Sequence, residues 1–214
     1  MNQIILDNVL PSIFSTESTI KSDIWLQNVN FEVGNYYLIQ ANSGTGKSSL
    51  CSYIYGYRDD YLGSLLFDNT NIRRLKTKDW DRIRSTQLSM LFQELFLFPE
   101  LTAWENIQLK NNLTGYKSDD QINVMFDKLG IADKKHAMTA KMSWGQRQRV
   151  AVIRSLCQPF RFIILDEPIS HLDDENASIM ADLIQSEALQ QGAGIIVTSI
   201  GKHLPLSYTQ MQAL

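Results

Sequence analysis

Residues 41–49 read A-N-S-G-T-G-K-S-S, and the fold turns on this stretch. It matches the phosphate-binding pattern G-x-x-x-x-G-K-[ST] at every fixed position except the first, where Ala41 stands in place of glycine. The spacing has a physical reason. Gly44 and Gly46 let the backbone turn so that successive N–H groups face one concavity, and the following helix adds the positive end of its dipole. Ala41, Asn42, Ser43, Gly44, Thr45, Gly46, Lys47, Ser48 and Ser49 are therefore expected to cradle the phosphates of a nucleotide. Lys47 would reach the β and γ phosphates, and the Ser48 hydroxyl would ligate Mg2+. The competing reading is an ordinary glycine turn before a helix whose lysine faces solvent.

On either side, the pattern is strand, turn, helix. The apolar run Tyr36–Gln40 leads into the loop, and a helical pattern through Leu50 and Ile54 stops at Gly56, a C-terminal cap. Upstream, Gln3–Leu6 and Trp25–Val33 read as strands separated by the polar stretch Ser15–Asp23. Downstream, Ser64–Phe67 and Leu88–Phe92 read as strands with a polar helix over Thr77–Arg84 between them. Residues 94–142 change character, with helices over Thr102–Leu113 and Ser118–Leu129 and no strand signal. This region is predicted to be a helical subdomain inserted into one α/β domain whose core comprises residues 1–93 and 143–214. Alternation then resumes: helix Ser143–Cys157, strand Phe162–Leu165, helix Asp174–Gln190, strand Ile195–Thr198. Such alternation predicts a largely parallel sheet covered on both faces.

Composition narrows the function. With 214 residues, 44% hydrophobic and 10% aromatic, the chain is expected to pack a core rather than remain disordered. A net charge of −3 lacks the basic excess of sequence-independent nucleic-acid binders, so no nucleic-acid partner is expected. Cys51 and Cys157 are too few for a disulfide framework, which points to a reducing, cytoplasmic compartment. The N-terminus MNQIILDNVL lacks the features of a signal peptide, and no run of about 18 apolar residues occurs that could span a bilayer.

Two further stretches carry chemistry. Phe162–Pro168, F-I-I-L-D-E-P, is an apolar strand ending in two carboxylates, which a parallel sheet would present at its ligand-binding carboxyl edge. Asp166 suits the shell of a magnesium ion and Glu167 suits polarising a water for attack on a γ phosphate. A plain strand exit and turn is the alternative. Residues 142–150, M-S-W-G-Q-R-Q-R-V, open an amphipathic helix with a capping box between Ser143 and Gln146. A capped helix suffices for the local pattern, yet its start also forms a ready anion site.

With these motifs in hand, the chain resembles the nucleotide-binding subunits of ATP-binding cassette (ABC) transporters over nearly its whole length. The phosphate loop, S-W-G-Q beside the signature S-G-G-Q, the D-E-P strand end and S-H-L-D at Ser170–Asp173 follow the family's order. The resemblance implies a P-loop NTPase fold with an N-terminal antiparallel β-subdomain and an inserted α-helical subdomain. It gives Gln93, in L-F-Q-E, the role of sensing the γ phosphate and Mg2+; on residues alone Gln93 reads as a surface glutamine. It implies a head-to-tail homodimer or cassette heterodimer with two ATP molecules sandwiched, each phosphate loop facing Ser143, Gly145 and Gln146 of the opposite subunit. Asp173 would lie along that interface, or simply cap the next helix. The partner would be an integral-membrane permease subunit holding the chain at the inner face of the membrane. Residues 97–107, L-F-P-E-L-T-A-W-E-N-I, resemble the cassettes of lipoprotein release, macrolide export and cell division, with Leu95, Phe96, Phe98 and Trp104 as a docking groove or as subdomain core.

The pattern departs from the family in three places. After the last core strand, I-I-V-T-S-I-G-K-H puts Ser199 or Ile200 where a histidine normally meets the γ phosphate, and His203 lies further on. Trp144 replaces the first signature glycine. Phe14 is the one aromatic candidate for adenine stacking. A low-turnover regulatory module acting on a membrane partner is the rival reading that the missing histidine and Trp144 favour. A DNA-repair or translation ATPase lacks room for its coiled coil or a second cassette, and a small-molecule kinase leaves Ser143–Gln146 and Ser170–Asp173 unexplained.

Overall fold

The computed structural model describes residues 1–16, 19–169 and 172–214. In chain order the described strands are β1 (Gln3–Pro11), β2 (Asn28–Glu32), β3 (Tyr36–Gln40), β4 (Tyr61–Phe67), β5 (Thr70–Asn71), β6 (Leu88–Leu91), β7 (Phe162–Asp166), β8 (Gly194–Ser199) and β9 (Gln210–Ala213). The α-helices are α1 (Lys47–Tyr55), α2 (Thr77–Thr86), α3 (Ala103–Asn111), α4 (Asp119–Lys128), α5 (Trp144–Leu156) and α6 (Asp174–Gln191).

A five-stranded sheet in the order β6-β7-β8-β3-β9 is parallel throughout. Its inner strands read as continuous apolar runs because both faces are buried. Alternate residues feed two cores. Ile163 and Leu165 of β7, with Ile195 and Val197 of β8, pack toward α5 and α6. Phe162, Ile164 and Ile196 pack with Leu50 and Ile54 of α1 and with the second sheet. That second sheet is antiparallel, in the order β2-β1-β4-β5. Parallel register brings the carboxyl ends of β6, β7, β8 and β3 to one edge, where Asp166 lies opposite Thr198 and Gln40 opposite Ser199.

The strand expected over Trp25–Val33 begins only at Asn28. Leu26 has a left-handed φ of +60° and its N–H donates to the Val9 carbonyl, so Ile24–Gln27 turns instead of extending. Between β6 and α5 lie α3, α4 and short 3-10 turns, and Thr102 and Ser118 cap the two helices in reciprocal boxes with Glu105 and Gln121. Ala103, Ile107, Ile122, Met125 and Phe126 join this segment to the α5–α6 core.

One polar contact spans the same junction. Lys117 Nζ, just ahead of α4, donates to Glu187 Oε2 on α6 at 2.6 Å with both residues buried. Removing one partner leaves a buried charge uncompensated, whereas replacing both by apolar groups does not. Glu187→Ala is expected to lower unfolding stability by about 3 kcal/mol or more. The double replacement Lys117→Met, Glu187→Leu should recover most of the loss, as measured by denaturant titration.

Candidate functional site

The loop Ala41–Gly46 joins β3 to α1 at the carboxyl edge of the parallel sheet. Gly44 and Gly46 have φ of +83° and +97°, the left-handed region that only glycine enters without strain. Space is a second constraint at Gly46, where an added Cβ would meet Trp25 Cζ2 at 3.1 Å and Phe14 Cε2 at 3.2 Å. Trp25 is buried against the turn, and its Nε1 donates to the Thr45 carbonyl at 3.0 Å. Thr45 Oγ1 in turn donates to the Asn42 carbonyl, and Ala41 N–H to the Ser199 carbonyl of β8. No side chain caps the amino end of α1, so its first N–H groups point out of the loop toward whatever the loop holds. Ser49 is turned toward Arg58, whose guanidinium donates to its hydroxyl at 3.0 Å.

Lys47 is 7% exposed, and its Nζ lies 3.1 Å from Glu167 Oε1. The Thr198 hydroxyl donates to the carboxylate of Asp166 at 2.6 Å, and the Ser48 hydroxyl also acts on that carboxylate. Asp166 is 3% exposed. Burial pushes its carboxyl above the ordinary aspartate value, and the hydrogen bonds from Thr198 and Ser48 pull it part of the way back. Glu167 leaves β7 with a left-handed φ of +49°, uncommon for a residue with a side chain, while its N–H donates to the Thr198 carbonyl. The strain aims Glu167 along the sheet edge toward Lys47.

Gln93 lies two residues past the end of β6, beside β7, and is exposed. The turn after it holds two consecutive left-handed residues, Leu95 at +63° and Phe96 at +44°. Arg154 on α5 holds that turn, donating to the Leu95 carbonyl at 2.5 Å and the Phe96 carbonyl at 2.7 Å. At the other end of α5, the Ser143 hydroxyl accepts from Gln146 N–H while Gln146 Oε1 accepts from Ser143 N–H. Gly145 packs beside Leu172, where a Cβ would sit 3.6 Å from Cδ2. Among the described residues no hydrogen bond joins Ser143, Gly145 or Gln146 to the phosphate loop of the same chain.

The departures from pattern find specific places. Ser199 is buried and its hydroxyl is committed to the Lys202 carbonyl, while Ile200 is exposed. The His203 ring packs on Tyr208 at 5.7 Å. Trp144 is half-buried against the α5–α6 core and lines a small hollow with Glu94, Leu95 and Leu97. Phe14 is partly buried beside Gly46, in a hollow of about 300 Å³ that also borders Ser43 and Gly44. The four residues read as a docking groove divide: Phe96 and Phe98 are exposed, Leu95 is core, and Trp104 stacks on Phe126 with Lys135 over its ring. Asp173 caps α6 by accepting from Asn176 N–H, which holds its carboxyl below the usual range. Ser170 and His171 lie outside the described residues.

Three contributors escaped the sequence reading. Thr198 could have been noticed as a lone polar residue inside an apolar strand. Trp25 and Arg154 carry no local signal. As a cation site, Ser48 and Asp166 offer hard oxygen donors near one another, and Gln93 lies two residues past the neighbouring strand β6. Among the described residues no cluster of three or more His, Cys, Asp or Glu forms a metal cage. That sparse donor set fits Mg2+, which keeps few protein ligands and takes the rest from phosphates and water.

Comparison with known proteins places these residues in context. The model of the ABC transporter family matches residues 26–170. The phosphonates import ATP-binding protein PhnC 2 of Oceanobacillus iheyensis is 34% identical over 185 residues, covering 80% of this chain and 72% of that protein. The lipoprotein-releasing system ATP-binding protein LolD 2 of Rhodopirellula baltica is 30% identical over 167 residues, 74% of this chain and 66% of that protein. Among solved structures, the dimeric structure of MJ0796, a bacterial ABC transporter cassette, superposes with a TM-score of 0.75 at 26% identity, over 92% of this chain and 87% of that one.

The buried Asp166 charge gives a test that needs no ligand. Its folded pKa lies above the unfolded value of 3.8, so the native state holds the proton more tightly, and the carboxyl costs stability as pH rises through that window. Asp166→Asn should therefore melt higher than the parent chain at pH 7, with the gap narrowing toward pH 4, as read by calorimetry.

Proposed function

The chain belongs to the ABC transporter family, with that family's P-loop ATPase fold, and from that premise we propose that it is an ATP-binding subunit that hydrolyses MgATP at a dimer interface to drive a separate membrane permease. The observation that carries this reading is the convergence of Lys47, Ser48, Asp166 and Glu167 at one sheet edge, with Lys47 and Glu167 3.1 Å apart. We take residues 1–214 as one cassette, with 94–142 as its helical subdomain. Among the described residues no helix is long and apolar enough to cross a membrane, so a membrane role would run through the permease at the inner face.

The roles follow from charge. A triphosphate carries more negative charge than one carboxylate, so Lys47 leaves Glu167 for the β and γ phosphates, and Glu167 is released to act as a base. The N–H groups of residues 42–48 cradle the β phosphate, and Asn42, Ser43 and Ser49 flank it. Ser48 and Asp166, with Gln93, would hold Mg2+, which supplies charge neutralisation on the phosphate oxygens. Glu167 accepts a proton from the water whose oxygen bonds to the γ phosphorus as the bond to the β-phosphate oxygen breaks, releasing ADP and phosphate. Ser143, Gly145 and Gln146 of the opposite subunit complete the site, with the Gly145 N–H, which the Ser143–Gln146 capping box does not use, facing the γ phosphate. Phe14 serves the base. Two relatives are named for phosphonate import and lipoprotein release, activities that run in opposite directions.

The absence of an imidazole at Ser199 or Ile200 favours one rival, a low-turnover module that binds ATP and biases a membrane partner. One set of assays separates them. Glu167→Gln is expected to keep ATP affinity, lose about 10²-fold or more of its phosphate release, and accumulate as a dimer in MgATP by analytical ultracentrifugation. Lys47→Ala should lose ATP affinity. Turnover unchanged in Glu167→Gln overturns the hydrolytic assignment, and tight binding with negligible turnover by the parent chain beside its permease supports the rival.

A further inference from the structure

The peptide between Thr45 and Gly46 is held from outside the phosphate loop. Trp25 Nε1 donates to the Thr45 carbonyl at 3.0 Å, and the Trp25 ring packs beside Gly46, where an added Cβ would meet its Cζ2 at 3.1 Å. Trp25 is 2% exposed, so its indole N–H needs an acceptor inside the protein, and among the described residues this carbonyl is that acceptor. The indole is itself firmly supported. Trp25 N–H donates to Ser22 Oγ at 2.9 Å, Leu26 N–H to the Val9 carbonyl, and Asp23 exchanges two hydrogen bonds with Ala213 of β9. β9 pairs with β3, the strand that runs into the loop, so donor and acceptor are both tied to one sheet.

A planar trans peptide directs its N–H opposite to its carbonyl. With the Thr45 carbonyl drawn to Trp25, the Gly46 N–H faces away from the indole, and it has no acceptor among the described residues. Elsewhere the loop ties its own peptides: Thr45 N–H and Oγ1 both donate to the Asn42 carbonyl. The Thr45 carbonyl has no such internal partner, and Trp25 is its one donor among the described residues. Rotating this peptide changes ψ of Thr45 and φ of Gly46, and glycine tolerates φ of either sign. The residue that permits the turn, at φ +97°, therefore also permits the peptide to reverse. A reversed peptide would aim a carbonyl oxygen, in place of an N–H, at a bound phosphate.

We infer that Trp25 is a positioning residue for the phosphate groups, its indole N–H locking the Thr45–Gly46 peptide so that the Gly46 N–H is turned to the cradle. The inference rests on the nucleotide reading of the loop and extends it to a residue outside the motifs. Phe14 and Trp25 border the same hollow beside Ser43 and Gly44, but only Trp25 carries a polar atom, and that atom is directed at the loop. A phosphate binds the fraction of chains whose peptide faces inward, and its apparent affinity is reduced by that fraction. The coupling is reciprocal. A phosphate that holds the Gly46 N–H also holds the Thr45 carbonyl against Trp25.

The test compares ADP, pyrophosphate and adenosine as probes of the full chain in magnesium buffer by titration calorimetry. Trp25→Phe keeps an apolar ring and removes the donor. It is expected to weaken ADP and pyrophosphate by the same factor, about fivefold, the equivalent of one neutral hydrogen bond, and to leave adenosine affinity unchanged. A fall in adenosine affinity with pyrophosphate unchanged would make Trp25 a wall of the base pocket and overturn the inference. Unchanged affinity for all three probes in a variant that melts lower would reduce Trp25 to packing and overturn it too. A second measurement leaves Trp25 in place. The chain has four tryptophans, and the Trp25 indole N–H signal is assigned by elimination from Trp80→Phe, Trp104→Phe and Trp144→Phe. Its hydrogen exchange, followed by NMR, should slow about fivefold with pyrophosphate and not with adenosine. Exchange that pyrophosphate does not slow overturns the inference and leaves the nucleotide reading standing. A parent chain that binds neither ADP nor pyrophosphate overturns both.

Discussion

A single buried carboxylate ties the architecture together. Asp166 ends β7, accepts a hydrogen bond from Thr198 on β8, interacts with Ser48 on α1, and is nearly without exposure. Three elements from distant parts of the chain are thereby fixed to one another at the sheet edge. An ionised carboxyl in that position costs free energy unless its oxygens are fully engaged. The arrangement is stable only because each donor is in register, and the parallel ladder that sets Asp166 opposite Thr198 supplies that register. A one-residue slip in β7 would turn Asp166 toward the other face and put an apolar neighbour at the edge.

Strain is distributed around the same edge. Glu167, Leu95 and Phe96 adopt left-handed backbone conformations that cost on the order of 1–3 kcal/mol each. Such conformations persist where surrounding contacts over-determine them. For Glu167 the holding contacts are its N–H bond to Thr198 and its ion pair with Lys47; for the Leu95–Phe96 turn they are the two carbonyl bonds from Arg154. The Lys47 and Arg154 contacts are charge-assisted and can be exchanged for another partner, so the strained residues are poised to shift when a competing ion arrives.

How much of this was legible in the sequence depends on how local each signal is. The Ala41–Ser49 cradle and the apolar run of β7 announce themselves because glycine spacing and burial on both faces are one-dimensional properties. The helix limits set by Ser143, Asp173 and Gly56 are equally local, being caps. β9 was missed because Q-M-Q-A is an edge strand, paired on one side only and mostly exposed, with no apolar run to mark it. The nine-residue length of β1 was also hidden, since its register shifts between Asp7 and Leu10 where Asn8 turns left-handed. Thr198, Trp25 and Arg154 act on residues far along the chain, and nothing in their immediate neighbours indicates a partner. Trp144 is the instructive case. It replaces a signature glycine at a helix start, and its partly buried ring packs against the α5–α6 core, a placement that no neighbouring residue indicates.

α5 then takes on a role larger than its own cap. It is a rigid rod of 13 residues, roughly 20 Å long, with the Ser143–Gln146 box at one end and Arg154 near the other. Between them Gln148 donates to the Pro168 carbonyl, fastening the rod directly behind Asp166 and Glu167. A displacement of either end is therefore felt in the middle, because a helix transmits translation along its axis with little bending over three or four turns. A displacement at the Ser143 end and one at the Leu95–Phe96 turn act on the same body, and that turn, held by Arg154, leads back to Gln93 at the sheet edge. The two ends of α5 are thus joined to the sheet edge by one helix and one strained turn, and free-energy coupling between them requires only that the turn have two arrangements of similar energy.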